Sequence, residues 1–548
     1  MGNKSKNKDY LVQGTILVIA SFVARFIGMI YRIPLTQILG NEGNGYYSTA
    51  HEIYSIVLMV SSFSIPLAVS KLVSERLSLG KKKNANRVFI CAMKFSLIMG
   101  GVMSVVTFAL AGVITKYMMK SEMAVYALRV MCPAIFLFAI VGCLRGVFQG
   151  HGSMVPTAVS QVLEQIVNAI VAVVCAGLMV SYGAKLAVSK NNELLEPALA
   201  AAGGTFGTVV SIAVALLFLL FVFVTFQRNF KRQMKRDHTL RLESDRSIYM
   251  ALIFTILPVV LSTVTYNIST ILDQGIFNHV LAAQGFEEQQ YVAIFGIYTG
   301  KFRVLMNVPL SIASCLAPSV VPSLSAAMAE GNYHDAKTKV RDSTRYTMTL
   351  TIPCAVGLAT LASPIMQLIF GDGMSLTEGI MQHGALMIVL LALSTLTTGI
   401  LQGLGELKKP LVHTAIALAA HVVLLVIMLT YFEMNIYAVI YSNIFFALVI
   451  CVMNAWSIKK VLHYRQELVR TFLIPLVSSG IMGLVVYGVY RLFALFAGNA
   501  ISTILAILVG MIVYVVLLIK LRGITKREIY RLPKGAYLVA FLRKCRIL

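Results

Sequence analysis

Charged residues are scarce in this 548-residue chain, and acidic residues are the scarcer of the two signs. Asp, Glu, Lys and Arg together make up 13% of the sequence, with 23 acidic against 47 basic residues, while hydrophobic residues reach 58%. Soluble globular domains carry about 25% charged residues and about 45–50% apolar ones. The shortage of charge therefore excludes a soluble domain and indicates an integral membrane protein.

Motifs of catalysis and metal binding are also missing. The eight cysteines are scattered, mostly within apolar runs and without a CxxC pair, and no histidines take an HExxH spacing. The sequence has neither a GxxxxGK[ST] phosphate loop nor a GxSxG elbow. A disulfide framework, a zinc site, an ATPase and a hydrolase are therefore not indicated, and we expect a protein that is not an enzyme and has no cofactor.

Long apolar runs make up most of the chain. Fourteen of them have the roughly 20-residue length that a helix needs to cross a bilayer, with centres near residues 26, 59, 102, 136, 167, 211, 260, 306, 358, 390, 420, 446, 483 and 510. They predict an all-α polytopic membrane protein with fourteen transmembrane helices. The first run follows the basic segment MGNKSKNKDY, but it holds two arginines and lacks a small-residue cleavage site, so we expect a span rather than a signal peptide.

Basic residues concentrate on alternate loops. The loop after helix 2 carries Lys81, Lys82, Lys83 and Arg87, and the loop QRNFKRQMKRDHTLRLESDR after helix 6 has seven basic and three acidic residues. The segment from Lys520 onward has nine basic residues and one acidic residue, whereas the intervening loop GFEEQQ has no Lys or Arg. The positive-inside rule then predicts cytoplasmic N- and C-termini, and the net charge of +24 indicates contact with anionic lipid head groups rather than nucleic acid.

An internal repeat divides the chain. GVFQGHGSMVPTAV (146–159) is similar to GILQGLGELKKPLV (399–412) at an offset of 253 residues, and SIPLAVSKLVSERLSLG is similar to CLAPSVVPSLSAAMAEG at an offset of 251. These pairs predict two parallel six-helix repeats followed by two C-terminal helices. Hinge turns are expected at Gln149, Gly150, Gly152, Gln402, Gly403 and Gly405.

The repeat predicts the domain organisation. We expect an N-terminal bundle over residues 1–226, a basic cytoplasmic linker over 227–247, a second bundle over 248–457, helices 13 and 14 over 458–520 and a basic cytoplasmic tail over 521–548. Parallel repeats are typical of transporters in which two bundles rock about a central substrate site. The alternative is a duplication retained only for packing.

Arginines in helix 1 are the most informative charges. Ser21, Arg25, Gly28 and Arg32 share one helical face, and an arginine at mid-span costs about 2.5 kcal/mol or more unless it faces a watery cavity. Arg25 lies near the middle of the run and is expected to line such a cavity. Arg32 is close enough to the outer surface either to line the cavity or to anchor at the interface.

Helix 8 repeats this pattern with Thr299, Arg303 and Asn307 on one face, while Lys301 points elsewhere and is either a substrate contact or the partner of a carboxylate. Cationic groups in helices of both repeats favour an acidic cargo such as a phosphate or diphosphate. Four more ionisable residues are assigned either to gating or to structural ion pairs, namely His51, Glu52, Glu164 and Asp273.

Taken together, S-F-V-A-R-F-I-G in helix 1, S-T-I-L-D in helix 7, F-R-V-L-M-N-V-P in helix 8, A-P-S-V-V-P-S-L and the QGxG turns resemble the MurJ and stage V sporulation protein B group of lipid II flippases. That group belongs to a superfamily with MATE drug exporters and O-antigen flippases. The resemblance covers essentially the whole chain. It implies export of an undecaprenyl-diphosphate-linked cell-wall precursor across a bacterial cytoplasmic membrane by alternating access, by a protein that functions as a monomer.

The resemblance also implies residue roles. Arg25 and Arg303 match the cavity arginines of helices 1 and 8, and Asp273 matches the helix 7 acid, while the lipid tail would follow a groove at the last two helices. Two departures concern helix 2, which has His51 and Glu52 where some members carry an arginine, and Arg32, which follows Arg25 by seven residues rather than six. They leave room for a teichoic or capsular polysaccharide cargo.

Other functions stay open at this point. A MATE-like exporter of cationic drugs would place acidic residues at the cavity centre, and a non-transporting scaffold for envelope assembly would use the basic C-terminal tail. The energy source is equally open between the membrane potential and a coupling cation, Na+ or H+, at an acidic residue.

Overall fold

The computed structural model describes residues 16–17, 19–235, 237 and 242–524, and every regular element in these ranges is helical. The N-terminal basic segment, part of the 227–247 linker and the tail from residue 525 onward lie outside the described residues. The α-helices of the described ranges are α1 (Ile19–Ile30), α2 (Arg32–Ser61), α3 (Ile65–Ser78), α4 (Lys82–Val113), α5 (Ala124–Gly150), α6 (Val155–Lys190), α7 (Leu195–Met234), α8 (Asp245–Ala283), α9 (Glu288–Ile297), α10 (Arg303–Ala329), α11 (Tyr333–Thr360), α12 (Ala362–Phe370), α13 (Ser375–Gly403), α14 (Lys408–Thr430), α15 (Ile436–Leu462), α16 (Ile474–Phe493) and α17 (Asn499–Lys520).

Ten helical segments of the described chain are long and apolar enough to cross a membrane, or eleven if α11 and α12, bent by 82°, form one span. The prediction of an all-helical, multi-pass membrane protein is confirmed. Each of the fourteen predicted centres lies within a helix, but α1 is shorter than a span. Fourteen spans therefore remains a prediction.

Single π-helical turns interrupt or extend three of the helices. They occupy Ile114–Met118 after α4, Tyr298–Phe302 between α9 and α10, and Val469–Leu473 before α16. Predicted helix 8 is thus α9 and α10 joined through a π turn. A π turn carries one extra residue and often marks a functional position in a helix.

The chain packs into two compact units, the first ending at Gly300 and the second beginning at Lys301. In the first unit α5, α6 and α7 pack together, and α8 and α9 pack against α2. In the second unit α13 packs against α10, α11 and α15, and α16 packs against α17. The predicted domain limits at residues 226, 247, 457 and 520 stay predictions.

The two predicted hinge turns have the same backbone geometry. Gly152 has φ +80° and its N–H donates to Gln149 O at 2.9 Å, and Gly405 has φ +85° and its N–H donates to Gln402 O at 3.1 Å. Glycine adopts such left-handed conformations without the steric cost that a Cβ brings. Both turns therefore end a helix in the same way, 253 residues apart.

Packing around the turns also repeats. A Cβ on Gly150 would lie 2.8 Å from Val73 Cβ, and a Cβ on Gly403 would lie 3.2 Å from Leu324 Cβ. Val73 and Leu324 are 251 residues apart, which is the second offset in the sequence. Each unit thus packs the helix before the turn against a short preceding helical segment through a bare glycine, as expected for a structural duplication.

Acidic residues of the linker bind the turn between α3 and α4. Glu243 pairs with Arg76 at 2.8 Å, Asp245 pairs with Arg87, and Asp237 Oδ2 accepts from Lys83 N–H at 2.7 Å. These contacts bring the two basic loops of the first unit to one end, as the predicted alternation of loops requires.

Candidate functional site

A polar seam joins α1 to α6. Ser21 Oγ donates to Gln161 Oε1 at 3.2 Å, and Asn168 Nδ2 donates to Tyr31 Oη at 2.8 Å. Between them, a Cβ on Gly28 would lie 3.1 Å from Gln165 Oε1. Sequence analysis identified Ser21 and Gly28 but missed their α6 partners, although the spacing of residues 161, 165 and 168 already predicts one polar helical face.

Arg25 lies on α1 between Ser21 and Gly28. Its side chain is exposed, and no carboxylate in the described ranges forms an ion pair with it. An unneutralised guanidinium at this depth in an apolar helix is stable only beside water or an anion. Arg25 is therefore an exposed cation of α1, and its role as a substrate contact stays a prediction.

Arg32 is engaged with the protein. Its guanidinium carbon lies 4.7 Å from the centre of the Tyr47 ring, a cation–π distance, and the residue is half-buried. The sequence left Arg32 between a cavity position and an interface anchor. Both residues belong to α2, so the stacking joins the first residue of this helix to a later part of it.

Glu164 forms a buried ion pair that crosses from α6 to α5. Arg145 Nη2 lies 2.8 Å from Glu164 Oε2, and Arg145 Nε donates to Ser160 Oγ at 2.9 Å. The Arg145 side chain is only 7% exposed. Of the two roles considered for Glu164, the structure favours the structural pair, and Arg145 is a residue that sequence analysis missed although its charge in an apolar run was a signal.

Polar groups also line the contact of α2 with α8. Glu52 Oε2 accepts from Thr270 Oγ1 at 2.8 Å, and Gln274 Nε2 donates to Thr49 Oγ1 at 2.6 Å. Asp273 is buried, 3% exposed, on α8 beside this contact. The predicted helix 2 and helix 7 acids thus lie where two helices of the first unit meet.

His51 lies among aromatic rings on α2. Its ring stacks on Tyr47 with centroids 5.9 Å apart and lies 6.3 Å from the Tyr54 ring, while Nδ1 is 3.3 Å from Ser55 Oγ. Tyr47 therefore contacts both His51 and Arg32. This arrangement links two predicted site residues through one ring.

In the second unit, Lys301 is paired. Its Nζ contacts Asp372 Oδ2, and Asp372 also accepts from Met374 N–H at 2.9 Å and from Thr377 Oγ1 at 2.7 Å. Burial alone raises the pKa of Asp372, but the hydrogen bonds from Lys301, Met374 and Thr377 outweigh it and hold the pKa below its usual range. The carboxylate alternative for Lys301 is the one that the structure supports.

Arg303 and Asn307 follow on α10. Arg303, the first residue of α10, is half-buried, and Asn307 one turn later is exposed. Lys301 lies within the π turn and Arg303 begins the regular α-helix, and the two neighbouring basic residues have different environments. The partner of Lys301, Asp372, lies 71 residues away and no local sequence pattern indicates it.

A bend and the π turn meet in the first unit. α2 bends at Gly40, which has φ +64°, and Asn44 Nδ2 donates to the carbonyls of Thr36 and Gly40 that the bend exposes, at 2.9 and 2.5 Å. Thr36 Oγ1 donates in turn to Gly300 O in the π turn at 3.0 Å. The backbone carbonyls at the bend and in the π turn thus accept hydrogen bonds from nearby side chains.

The backbones of α2 and α9 touch at this crossing. A Cβ on Gly296 would overlap Asn41 O, and a Cβ on Gly45 would overlap Val292 O. Gly296 and Gly300 form the small-xxx-small spacing that allows close helix packing in membranes. Any side chain at these positions would separate the helices.

Within the described ranges, no three His, Cys, Asp or Glu residues form a cluster that could hold a metal ion. The basic tail that a scaffold would use lies beyond residue 524, outside the described residues.

Comparison with known sequences gives two family matches. The profile described as polysaccharide biosynthesis protein matches residues 11–328, and the MatE profile matches residues 258–427. Stage V sporulation protein B of Bacillus subtilis is 23% identical over 96% of this chain and 98% of its own length. Lipid II flippase MurJ of the same organism is 25% identical over 87% of this chain and 88% of its own length.

Two solved structures have a fold similar to that of this chain. Lipid II flippase MurJ in an inward closed conformation covers 92% of this chain and 98% of its own length, with a TM-score of 0.65 at 15% identity. An inward-facing multidrug MATE transporter covers 80% of this chain and 95% of its own length, with a TM-score of 0.64 at 17% identity. Of these similar proteins, those named for an activity are named as a flippase or a transporter.

Proposed function

Because this chain belongs to the polysaccharide biosynthesis protein family, we propose that it is a lipid flippase. Its cargo would be the undecaprenyl-diphosphate-linked peptidoglycan precursor, lipid II, moved from the inner to the outer leaflet by alternating access. The location would be a bacterial cytoplasmic membrane, with both termini on the cytoplasmic side. Full-length similarity to relatives named for lipid II flipping and sporulation supports this proposal.

Arg25 is the single observation that carries the proposal. Two buried cations of the described chain are neutralised, Arg145 by Glu164 and Lys301 by Asp372. Arg25 alone of these three has an exposed guanidinium without an ion pair, in the middle of an apolar helix. A diphosphate is the kind of ligand that a guanidinium binds with two parallel hydrogen bonds.

Residues around Arg25 fit supporting roles. Ser21 and Gly28 hold α1 against α6, so they fix the position from which Arg25 extends. Arg303, in the second unit, enters the proposal from the sequence resemblance and from its half-buried position at the start of α10. Lys301 and Glu164 enter it as structural residues rather than as ligands of the cargo.

Complementation of a lipid II flippase depletion tests the proposal, with inner-leaflet lipid II as the readout. Loss of a charge-assisted contact is worth about 1.5–3 kcal/mol, so Arg25→Ala should reduce flipping about 10- to 100-fold, and Arg25→Lys should retain more activity. Arg129→Ala is the matched control, since it removes an exposed arginine of α5 that stacks on Phe108 at 5.5 Å. Full rescue by Arg25→Ala would rule out the mechanism in which Arg25 binds the cargo.

Failure of the unmutated, well-expressed chain to rescue would shift the cargo to another lipid-linked polysaccharide. In that case the same strain should be analysed for accumulated teichoic or capsular lipid precursors.

A MATE-like cation-coupled exporter is the second candidate, because the MatE profile matches residues 258–427. It predicts efflux of a cationic dye from cells, abolished by dissipating a Na+ or H+ gradient. Two results together would favour the exporter. Arg25→Ala would leave dye efflux unchanged, and the unmutated protein would have no effect on the amount of inner-leaflet lipid II.

A further inference from the structure

A cavity of about 440 Å³ opens in the second unit, between α11, α13, α15 and the π turn before α16. Leu393, Cys451, Ala455, Leu468 and Phe472 are among the apolar side chains that line it. Its mouth is basic and holds Lys459 and Arg465. The cavity therefore combines an apolar interior with a cationic rim.

The internal repeat shows larger side chains at the equivalent positions of the first unit. In the first unit Phe89 packs on Phe223 with ring centroids 5.0 Å apart, and Met93 packs against the same core. At the offset of 251 residues their equivalents are Val340 and Thr344, and both line the cavity. Large side chains in one copy thus correspond to small ones in the other, which leaves the space open.

The cations at the mouth have no acidic partner in the described part of the chain. Lys459 and Arg465 are exposed and form no ion pair there, whereas the adjacent Arg470 is 3.7 Å from Glu467. Two exposed charges next to an apolar cavity leave a positive potential that an anionic group would neutralise.

Trp456 places this mouth at the level of lipid head groups. It is the only tryptophan of the chain, it lines the cavity, and its side chain is 64% exposed. Lys460 Nζ lies 5.6 Å from the centre of its ring. Tryptophan with neighbouring lysine is typical of the membrane–water interface.

We propose that this cavity is a binding site for an anionic phospholipid, separate from the transported cargo. The phosphate would lie between Lys459 and Arg465, and an acyl chain would occupy the apolar interior beside Cys451 and Phe472. A free phosphate would use only the rim, and an apolar ligand would use only the interior. Basic pockets between membrane helices on the cytoplasmic side are a known way to hold anionic head groups.

Lipid retention by the full-length protein tests this proposal. The purified protein is incubated with phosphatidylglycerol, phosphatidylcholine or inorganic phosphate and analysed by native mass spectrometry. We expect retention of phosphatidylglycerol over phosphatidylcholine, and Lys459→Gln/Arg465→Gln should weaken it about 10- to 30-fold, because each basic residue contributes about a factor of five near anionic lipid. Lys81→Gln/Lys82→Gln on the loop after α3 removes the same charge and should leave retention unchanged.

A second variant tests the apolar interior without changing charge. Ala455→Phe places a ring in the cavity and should also lower phosphatidylglycerol retention, with an unchanged unfolding temperature showing that the fold is intact. Equal retention of the two phospholipids, an equal loss in the Lys81→Gln/Lys82→Gln control, or inorganic phosphate that competes fully with phosphatidylglycerol would each overturn the proposal. None of these outcomes bears on lipid II flipping, which the depletion assay measures separately.

Discussion

The crossing of α5 with α6 and the crossing of α13 with α14 occupy equivalent positions in the two repeats. An ion pair joins the first crossing, whereas hydrogen bonds join the second. In the first unit Arg145 pairs with Glu164 and Ser160. At the offset of 253 residues their equivalents are Thr398, Ala417 and His413. At the second crossing hydrogen bonds replace the ion pair: Asn454 of α15 donates to Thr398 Oγ1 at 3.2 Å, and its Oδ1 lies 2.8 Å from His413 Nδ1.

This difference shows that the shared topology does not require a charge at the crossing. A buried ion pair is costly to desolvate, so its presence in the first unit alone needs a local reason. Glu164 is next to Gln165, which faces Gly28 one turn from Arg25. By binding Glu164, Arg145 neutralises a carboxylate of α6 next to the residue that faces Gly28.

Breaking the charged crossing should have the largest effect. Arg145→Thr installs the residue of the second unit and leaves Glu164 buried without its partner, which costs about 3–5 kcal/mol. Arg145→Thr/Glu164→Ala carries the second unit's residues at both positions and should recover much of that loss. Thermal unfolding of the detergent-purified protein measures both, and a double variant as unstable as the single one would contradict the account.

Breaking the second crossing should cost less stability than breaking the first. Asn454→Leu removes the amide that joins His413 to Thr398 and leaves neutral buried groups unpaired, at about 1–3 kcal/mol. The same unfolding measurement should place it between wild type and Arg145→Thr. A larger loss than for Arg145→Thr would reverse the order of the two crossings.

The matched glycines give a finer comparison. A Cβ on Gly150 would lie 2.8 Å from Val73 Cβ and 3.0 Å from Ser70 O, whereas the contacts of a Cβ on Gly403 begin at 3.2 Å. Gly150→Ala should therefore cost about 1–3 kcal/mol, the range of overpacked sites, and Gly403→Ala should cost less. Equal unfolding temperatures for the two variants would contradict this order. They would show that neighbouring residues shift enough to accommodate the methyl group added at position 150.

The pair of Lys301 with Asp372 should give the smallest change of stability with pH between pH 7 and 5. Because the folded pKa of Asp372 is lowered, its stabilisation is complete above the unfolded value of about 3.9 and disappears as the pH falls through the folded pKa. The unfolding temperatures of wild type and Asp372→Asn should differ by a constant amount between pH 7 and 5. Their difference should shrink only below about pH 4, and a loss already at pH 6 would contradict the lowered pKa.

The sequence predicted the elements that depend on periodicity and local repetition. Apolar runs placed the helices, and the two offsets located turns whose glycines, Gly152 and Gly405, have the same backbone geometry. The position of Arg25 within an apolar helix was also predicted, because the charge lies inside a local apolar run, whereas its role stays a prediction. These features need no knowledge of which helices touch.

Contacts between distant segments could not be predicted in this way. Asp372 is 71 residues from Lys301, and the bond of Thr36 to Gly300 joins segments 264 residues apart. The number of spans was also uncertain for a local reason, because bends and π turns interrupt apolar runs without changing their composition. The cavity at Trp456 became apparent only when the packing of the two repeats was compared.

The contact of Gly45 with α9 has a mechanical consequence. Where two helices meet through side chains, rotamer changes let one helix slide over the other, but here backbone meets backbone and nothing compliant lies between them. We therefore expect α2 and α9 to tilt together, as one rigid lever of the first unit. Because Glu288 at the tip of α9 accepts from Met123 N–H at 3.2 Å, a tilt of this lever reaches the start of α5 directly.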